Sequence, residues 1–235
     1  MQRPQRPQRT RTQPGTRPTT PEHAWAVLRA GNARFMADAR AHPHEGLHVR
    51  KRLAGKQNPF AIFFGCADSR VGAEIIFDQG LGDLFVIRTA GHVIDLSVLG
   101  SIEYGIAKLH IPLIVVLGHD SCGAITATAE AVATGDMPGG FIRDIVERVT
   151  PSLFTARRDN PTATVDEIET EHIRQTAALL AERSSLIASR IGDGRLAIAG
   201  AQYALAEGEA RLRCAIGPLG ETPDPTTESA DTLRP

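Results

Sequence analysis

The sequence predicts an α/β domain: a mainly parallel central sheet covered by helices, with an antiparallel C-terminal edge strand and an N-terminal helical arm. Three observations carry that reading. Short β-rich runs alternate with longer helical ones, the order expected when helices cross between parallel strands. The runs at 61 to 65 (AIFFG), 83 to 88 (DLFVIR), 112 to 118 (PLIVVLG) and 195 to 205 (RLAIAGAQYAL) are apolar on both faces, as a sheet buried between helices requires. The chain then turns through AEGE into ARLRCAIG, where Leu212, Cys214 and Ile216 alternate with Arg211 and Arg213. That alternation predicts a half-exposed antiparallel edge with all three apolar side chains facing the core.

The elements follow in chain order. A helix starts at Thr20-Pro21-Glu22, with Thr20 as N-cap and Pro21 in the first turn, and it carries Trp25, Leu28 and Phe35 on one stripe. His42, His44 and His48 follow in AHPHEGLH, where the Pro and Gly predict a solvated loop. Further helices are expected over 95 to 109, 120 to 134 and 139 to 149, and one long helix over 165 to 191. No repeat of solenoid type is present.

Composition narrows the function classes. With 235 residues and 42% hydrophobic side chains, the chain can bury one substantial core, placed at 21 to 217 between a basic tail (1 to 20) and an acidic one (218 to 235). The first 20 residues hold five arginines and no acid, leaving 21 basic against 27 acidic side chains for the rest. The folded part therefore lacks the electrostatic footprint of a nucleic-acid binder. Both tails are too polar to pack and are expected to be disordered. No apolar run reaches the roughly 18 residues of a membrane span, and no secretory leader opens the sequence, so a cytoplasmic location is expected. The three widely spaced cysteines do not form a disulfide framework, which leaves core, metal-binding or nucleophilic roles.

Two of those cysteines end apolar strands. FFGCADSR puts Cys66 at the carboxyl edge of the first run, and VLGHDSCGA puts His119 at the edge of the third with Cys122 three residues on. Ligands collect at such edges in open α/β sheets. If the two strands are neighbours, Cys66, His119 and Cys122 open into one crevice as a Cys₂His set, which suits zinc and leaves a fourth position for solvent. Taken singly, each is as well explained as a core thiol or an end-of-strand imidazole; Asp68 and Arg70 beside Cys66, and the flanking glycines, favour a site.

CADSR followed some fifty residues later by GHDSCGA resembles the β-class carbonic anhydrases, and GDLFVIRTAG (82 to 91) and SIEYGI (101 to 106) match family segments in order and spacing. The resemblance implies that Cys66, His119 and Cys122 bind one catalytic Zn²⁺ per subunit. It further implies that Asp68 and Arg70 form a dyad orienting zinc-bound hydroxide for attack on carbon dioxide, giving bicarbonate and a proton. Asp68 also has a resting role in some relatives, as a fourth ligand. Gln57, Phe85 and Tyr104 match the family's substrate positions, which meet across a dimer interface, so a homodimer or homotetramer is expected, with Trp25 and Phe35 as candidates to pack on the partner. Arg88 and Tyr203 match a second, regulatory bicarbonate site of some relatives, but Phe63 stands where those carry Trp and lacks its N–H donor. His92 is a candidate neighbour of the site. Rival readings keep the zinc and change the substrate to carbon disulfide or carbonyl sulfide, or close the metal's fourth position in a non-catalytic module. A cysteine-nucleophile or redox enzyme lacks its C-x-x-C or C-x₅-R pattern.

Two thiolates cancel the formal charge of a divalent metal, so such a centre acidifies water less than an all-histidine one. Hydration activity is accordingly expected to rise with pH between about 6 and 9 in a stopped-flow assay; a flat profile over that range would contradict it.

Overall fold

A computed structural model describes residues 17–223 and holds one five-stranded sheet, in the order β2-β1-β3-β4-β5. The strands are β1 (Ala61–Cys66), β2 (Leu84–Thr89), β3 (Leu113–His119), β4 (Ala197–Tyr203) and β5 (Ala210–Ile216). All pairings are parallel except β4 with β5. Strands β1, β3 and β4 are buried along their whole length, as their two-faced apolar sequences require, and β2 is a half-exposed edge.

One layer of core lies between the sheet and helices α1 (Pro21–Met36) and α3 (Ala73–Ile76), with Trp25, Leu28, Phe63 and Phe77 at its centre. The other packs α4 (Leu96–Leu109), α7 (Val165–Arg183) and α8 (Ser185–Gly192) on Ile62, Phe64, Ile114 and Ile198. Beyond the carboxyl ends of the strands, α5 (Gly123–Thr134) and α6 (Ile142–Asp159) enclose a third cluster that includes Cys66 and Cys122. A short α2 (Leu47–Leu53) completes the helices of the described residues.

Several expectations need correction. Trp25 is 2% exposed and packs with Leu28 on this chain's own sheet, so Trp25 is core and not a partner surface, while Phe35 is partly buried beside it. The 165-to-191 helix is two helices: Ser184 adopts an extended backbone, and its hydroxyl caps α8 through Ile187 N–H while donating to Glu103. Helix α6 runs ten residues past its expected end, through Pro151, because Val146, Val149 and Leu153 bury one continuous face. In β5 a bulge opposite Gly200/Ala201 breaks the alternation, so Leu212 joins the α1 layer while Cys214 and Ile216 pack on the α7 layer. His48 lies on α2 instead of in a loop.

The packed chain also runs past both ends of the 21-to-217 domain. Arg17 donates to the carbonyls of Asn58, Pro59 and Leu109, Leu219 is buried, and Glu221 accepts from Trp25 Nε1 at 2.7 Å. Residues 1–16 and 224–235 of the expected tails lie outside the described residues. Among those described, no helix is long and apolar enough to cross a membrane.

Two features lock α1 to the sheet. Asn32 is buried and donates to the carbonyls of Ile76 and Gly208 while accepting from Ala210 N–H. At Gly31 the helix backbone meets α3 so closely that a Cβ would lie 1.8 Å from Phe77 O. A Gly31→Ala substitution should therefore cost about 1–3 kcal/mol by overpacking against backbone that cannot yield, read as a lower urea midpoint; an unchanged midpoint would contradict this packing.

Candidate metal centre

Strands β1 and β3 are direct neighbours, with Gly65 opposite Leu117, so Cys66 and His119 emerge side by side at the carboxyl edge. That edge is also where strand order reverses: the chain passes from β1 outward to β2 and then back across to β3. A crevice opens at such a point. Cys122 arrives on the turn after β3, where Ser121 takes a left-handed conformation (φ 52°), and sits as N-cap of α5.

The three donor atoms, two Sγ and one imidazole nitrogen, all lie within 4.8 Å of one another, and all three residues are buried. The imidazole is set by its own backbone, since Nδ1–H donates to Asp120 O at 2.8 Å. Nε2 is left buried without a partner. An unpaired buried nitrogen beside two sulfurs is costly unless something occupies the space between them. A soft divalent cation satisfies all three, and the donor set fits Zn²⁺. The Cys66 thiol is lowered, chiefly because the Cys122 thiol donates to it, with burial opposing; Cys122 is pushed up in turn. The pair thus shares a proton that metal binding would release.

Asp68 and Arg70 stand at the mouth. Arg70 grips the carboxylate twice, Nε to Oδ1 at 2.9 Å and Nη2 to Oδ2 at 2.7 Å, and its own N–H donates to Oδ1. This fork holds the Asp68 carboxyl well below the usual carboxylate range. Oδ2 lies 3.9 Å from His119 Nε2, so the carboxylate faces the space between the donors while still paired with Arg70. Arg88 supports the same loop, donating to the carbonyls of Cys66 and Asp68.

Behind the donors lies a buried polar group that the sequence did not disclose. Glu169 on α7 is fully buried, and its Oε1 accepts from His119 N–H at 3.0 Å. Only glycine fits opposite it, because a Cβ at Gly118 would lie 2.0 Å from that oxygen. Burial pushes the Glu169 carboxyl up to about 8. His92 approaches it at 3.7 Å, stacks edge-on against Phe64 and lies 4.5 Å, ring to ring, from His172. His92 is thus an inner neighbour of the centre, held neutral by burial.

The remaining candidates do not converge on this point within one chain. Phe85 and Tyr104 stack at 6.3 Å on the exposed edge formed by β2 and α4. Phe85 pairs with Ile62, four residues before Cys66, roughly 13 Å down the strand at 3.3 Å per residue. Gln57 is exposed ahead of β1. Phe63 is core, edge-on to Phe77, and Tyr203 is buried at the end of β4. His42 and His44 pair with Glu45 and Asp83, and among the described residues they belong to no metal-binding group.

Comparison with known proteins agrees with this geometry. A family model for carbonic anhydrase matches residues 61–210. The chain is similar to carbonic anhydrase 2 of Mycobacterium tuberculosis, 56% identical over 86% of this chain and 98% of that one. It is also similar to a carbonic anhydrase of Mycolicibacterium smegmatis, 54% identical over the same shares. Among solved structures, a tetrameric β-carbonic anhydrase from Sordaria macrospora has the same fold, with a TM-score of 0.66 at 23% identity over 81% of this chain and 96% of that one.

Proposed function

The chain belongs to the β-class carbonic anhydrase family, and from that premise we propose that it hydrates carbon dioxide reversibly to bicarbonate and a proton at a zinc ion held by Cys66, His119 and Cys122. The observation that carries this reading is the buried Cys-His-Cys group with its unpartnered Nε2, facing a carboxylate that Arg70 keeps ionised. Zinc bound there would act as a Lewis acid, making hydroxide available from water near neutral pH.

The protein's own groups supply orientation. Asp68, ionised and fixed by two guanidinium contacts, can accept a hydrogen bond from the attacking oxygen and so turn a lone pair toward the carbon of the substrate. Arg70 spends its donors on that carboxylate and keeps it from swinging inward to take up the fourth position. The paired dyad favours the working arrangement over the resting one. Carbon dioxide carries no charge, so its pocket needs apolar walls with one donor, and Phe85, Tyr104 and Gln57 are the residues we assign to it. Because they line an edge remote from this chain's own donors, we place them in the site of a second copy, making the homodimer the smallest complete enzyme. The three free cysteines fit the reducing cytoplasm we assign to the chain.

Asp68→Asn keeps the shape of the dyad and removes its charge. It should lower the stopped-flow hydration rate about 100-fold at unchanged zinc content; an unaltered rate would sink the role of the dyad. Dilution tests the shared site separately. Activity per chain is expected to fall together with the dimer fraction in sedimentation, and full activity in a monomer would contradict the assignment of Gln57, Phe85 and Tyr104 across the interface.

A further inference from the structure

Cys66 has an inner support that reaches it from α7 by way of one glycine. Gly91 lies in the short 3₁₀ turn Ala90–His92 after β2 and adopts a left-handed backbone, φ 59° and ψ 24°. A side chain is excluded there twice over, by that conformation and because a Cβ would meet Ala124 Cβ at 2.8 Å on the first turn of α5. Both polar groups of Gly91 are turned to neighbours: its N–H faces the Cys66 sulfur, as does that of Asp68, and its carbonyl accepts from His172 Nε2 at 2.9 Å. The register explains the approach, since Thr89 pairs with Cys66 and the turn begins at the next residue.

His172 is itself held firmly. It is 5% exposed, its Nδ1 lies 2.9 Å from the hydroxyl of Ser152 on α6, and its ring packs on His92. Since Gly91 O can only accept, Nε2 carries a proton, while Nδ1 faces the Ser152 hydroxyl, which itself donates to Gln175 Oε1 at 2.9 Å. A cavity of about 460 Å³ between α6 and α7 is lined by His172, Ser152 and Thr176.

We propose that His172 is a positioning residue for the metal centre: by fixing the Gly91 carbonyl it aims the Gly91 N–H at the Cys66 sulfur and sets how strongly that sulfur donates to the metal. The inference rests on the Cys-His-Cys metal reading above. A backbone N–H directed at a thiolate withdraws electron density from it and also fixes the direction of its lone pair, and losing such orienting partners lowers metal affinity by roughly 10- to 100-fold. His172 touches neither substrate nor metal in this account, so its loss should appear at the metal before it appears in turnover.

The test uses full-length protein loaded with cobalt(II), whose thiolate-to-metal charge-transfer band reports sulfur donation directly, together with zinc affinity from chelator competition. His172→Leu should move the band to lower energy and weaken zinc binding about tenfold, while His172→Gln, which can still donate to Gly91 O, should restore most of both. Ser152→Ala loosens the imidazole without removing it and should give a smaller shift in the same direction; it decides the matter if the leucine variant does not fold. A folded His172→Leu protein with the band and affinity of the unaltered one would overturn the proposal, as would an unshifted Ser152→Ala band should the leucine variant fail to fold. If the unaltered protein binds neither cobalt nor zinc, the metal reading falls and the His172 inference falls with it.

Discussion

Direct pairing of β1 with β3 is the constraint on which the rest depends. Two parallel strands one hydrogen-bonded spacing apart deliver Cys66 and His119 to the same edge, and only then can the turn after β3 fold Cys122 back onto them. The pairing is secured from both faces: Phe63, Val115 and Leu117 sit under α1, and Ile62, Phe64, Ile114 and Val116 sit under α4 and α7. A slip of one residue would exchange these two sets and turn Cys66 away from the crevice. The hydrophobic pattern of the sheet and the placement of the donors are therefore one specification.

Rigid support behind the donors comes at the cost of burying polar groups, and small residues make it possible. Gly118 leaves room for the Glu169 carboxyl against β3, and Gly91 leaves room for the turn against α5. Glu169 ties α7 to the backbone of His119, and His172, one turn further along the same helix, ties it to the turn beside Cys66. A single helix face thus reaches the backbone of one donor and the turn beside another. Burial raises the Glu169 carboxyl and lowers the His172 imidazole, so both are favoured in their uncharged forms near neutral pH, which limits the desolvation cost of placing them there.

Much of this was legible in the chain itself. The strands announced themselves as apolar runs, two of them closed by Gly, and the donors stood out because Cys66 and His119 follow those two where a turn residue is ordinary. Asp68 and Arg70 stood out by their closeness to Cys66, and the two side chains pair with each other. What escaped notice depends on helical phase and on irregularities that periodicity cannot carry. Glu169 and His172 look like solvent-facing residues in VDEIETEHIRQ until α7 is laid on the sheet, and Ser152 follows a proline that invites a helix end. The break at Ser184 uses a polar cap in place of Gly or Pro, and the bulge in β5 reverses the facing of Cys214 without any change in the alternation of residue types.

The central claim is that Cys66, His119 and Cys122 share one zinc ion that keeps a position open for solvent. X-ray absorption at the zinc edge of the purified protein tests it most directly. The account predicts one zinc per chain with two sulfur neighbours at about 2.3 Å and two lighter nitrogen or oxygen neighbours at about 2.0 Å. A shell made only of nitrogen and oxygen, or protein that retains no zinc after purification with the metal supplied, would contradict it.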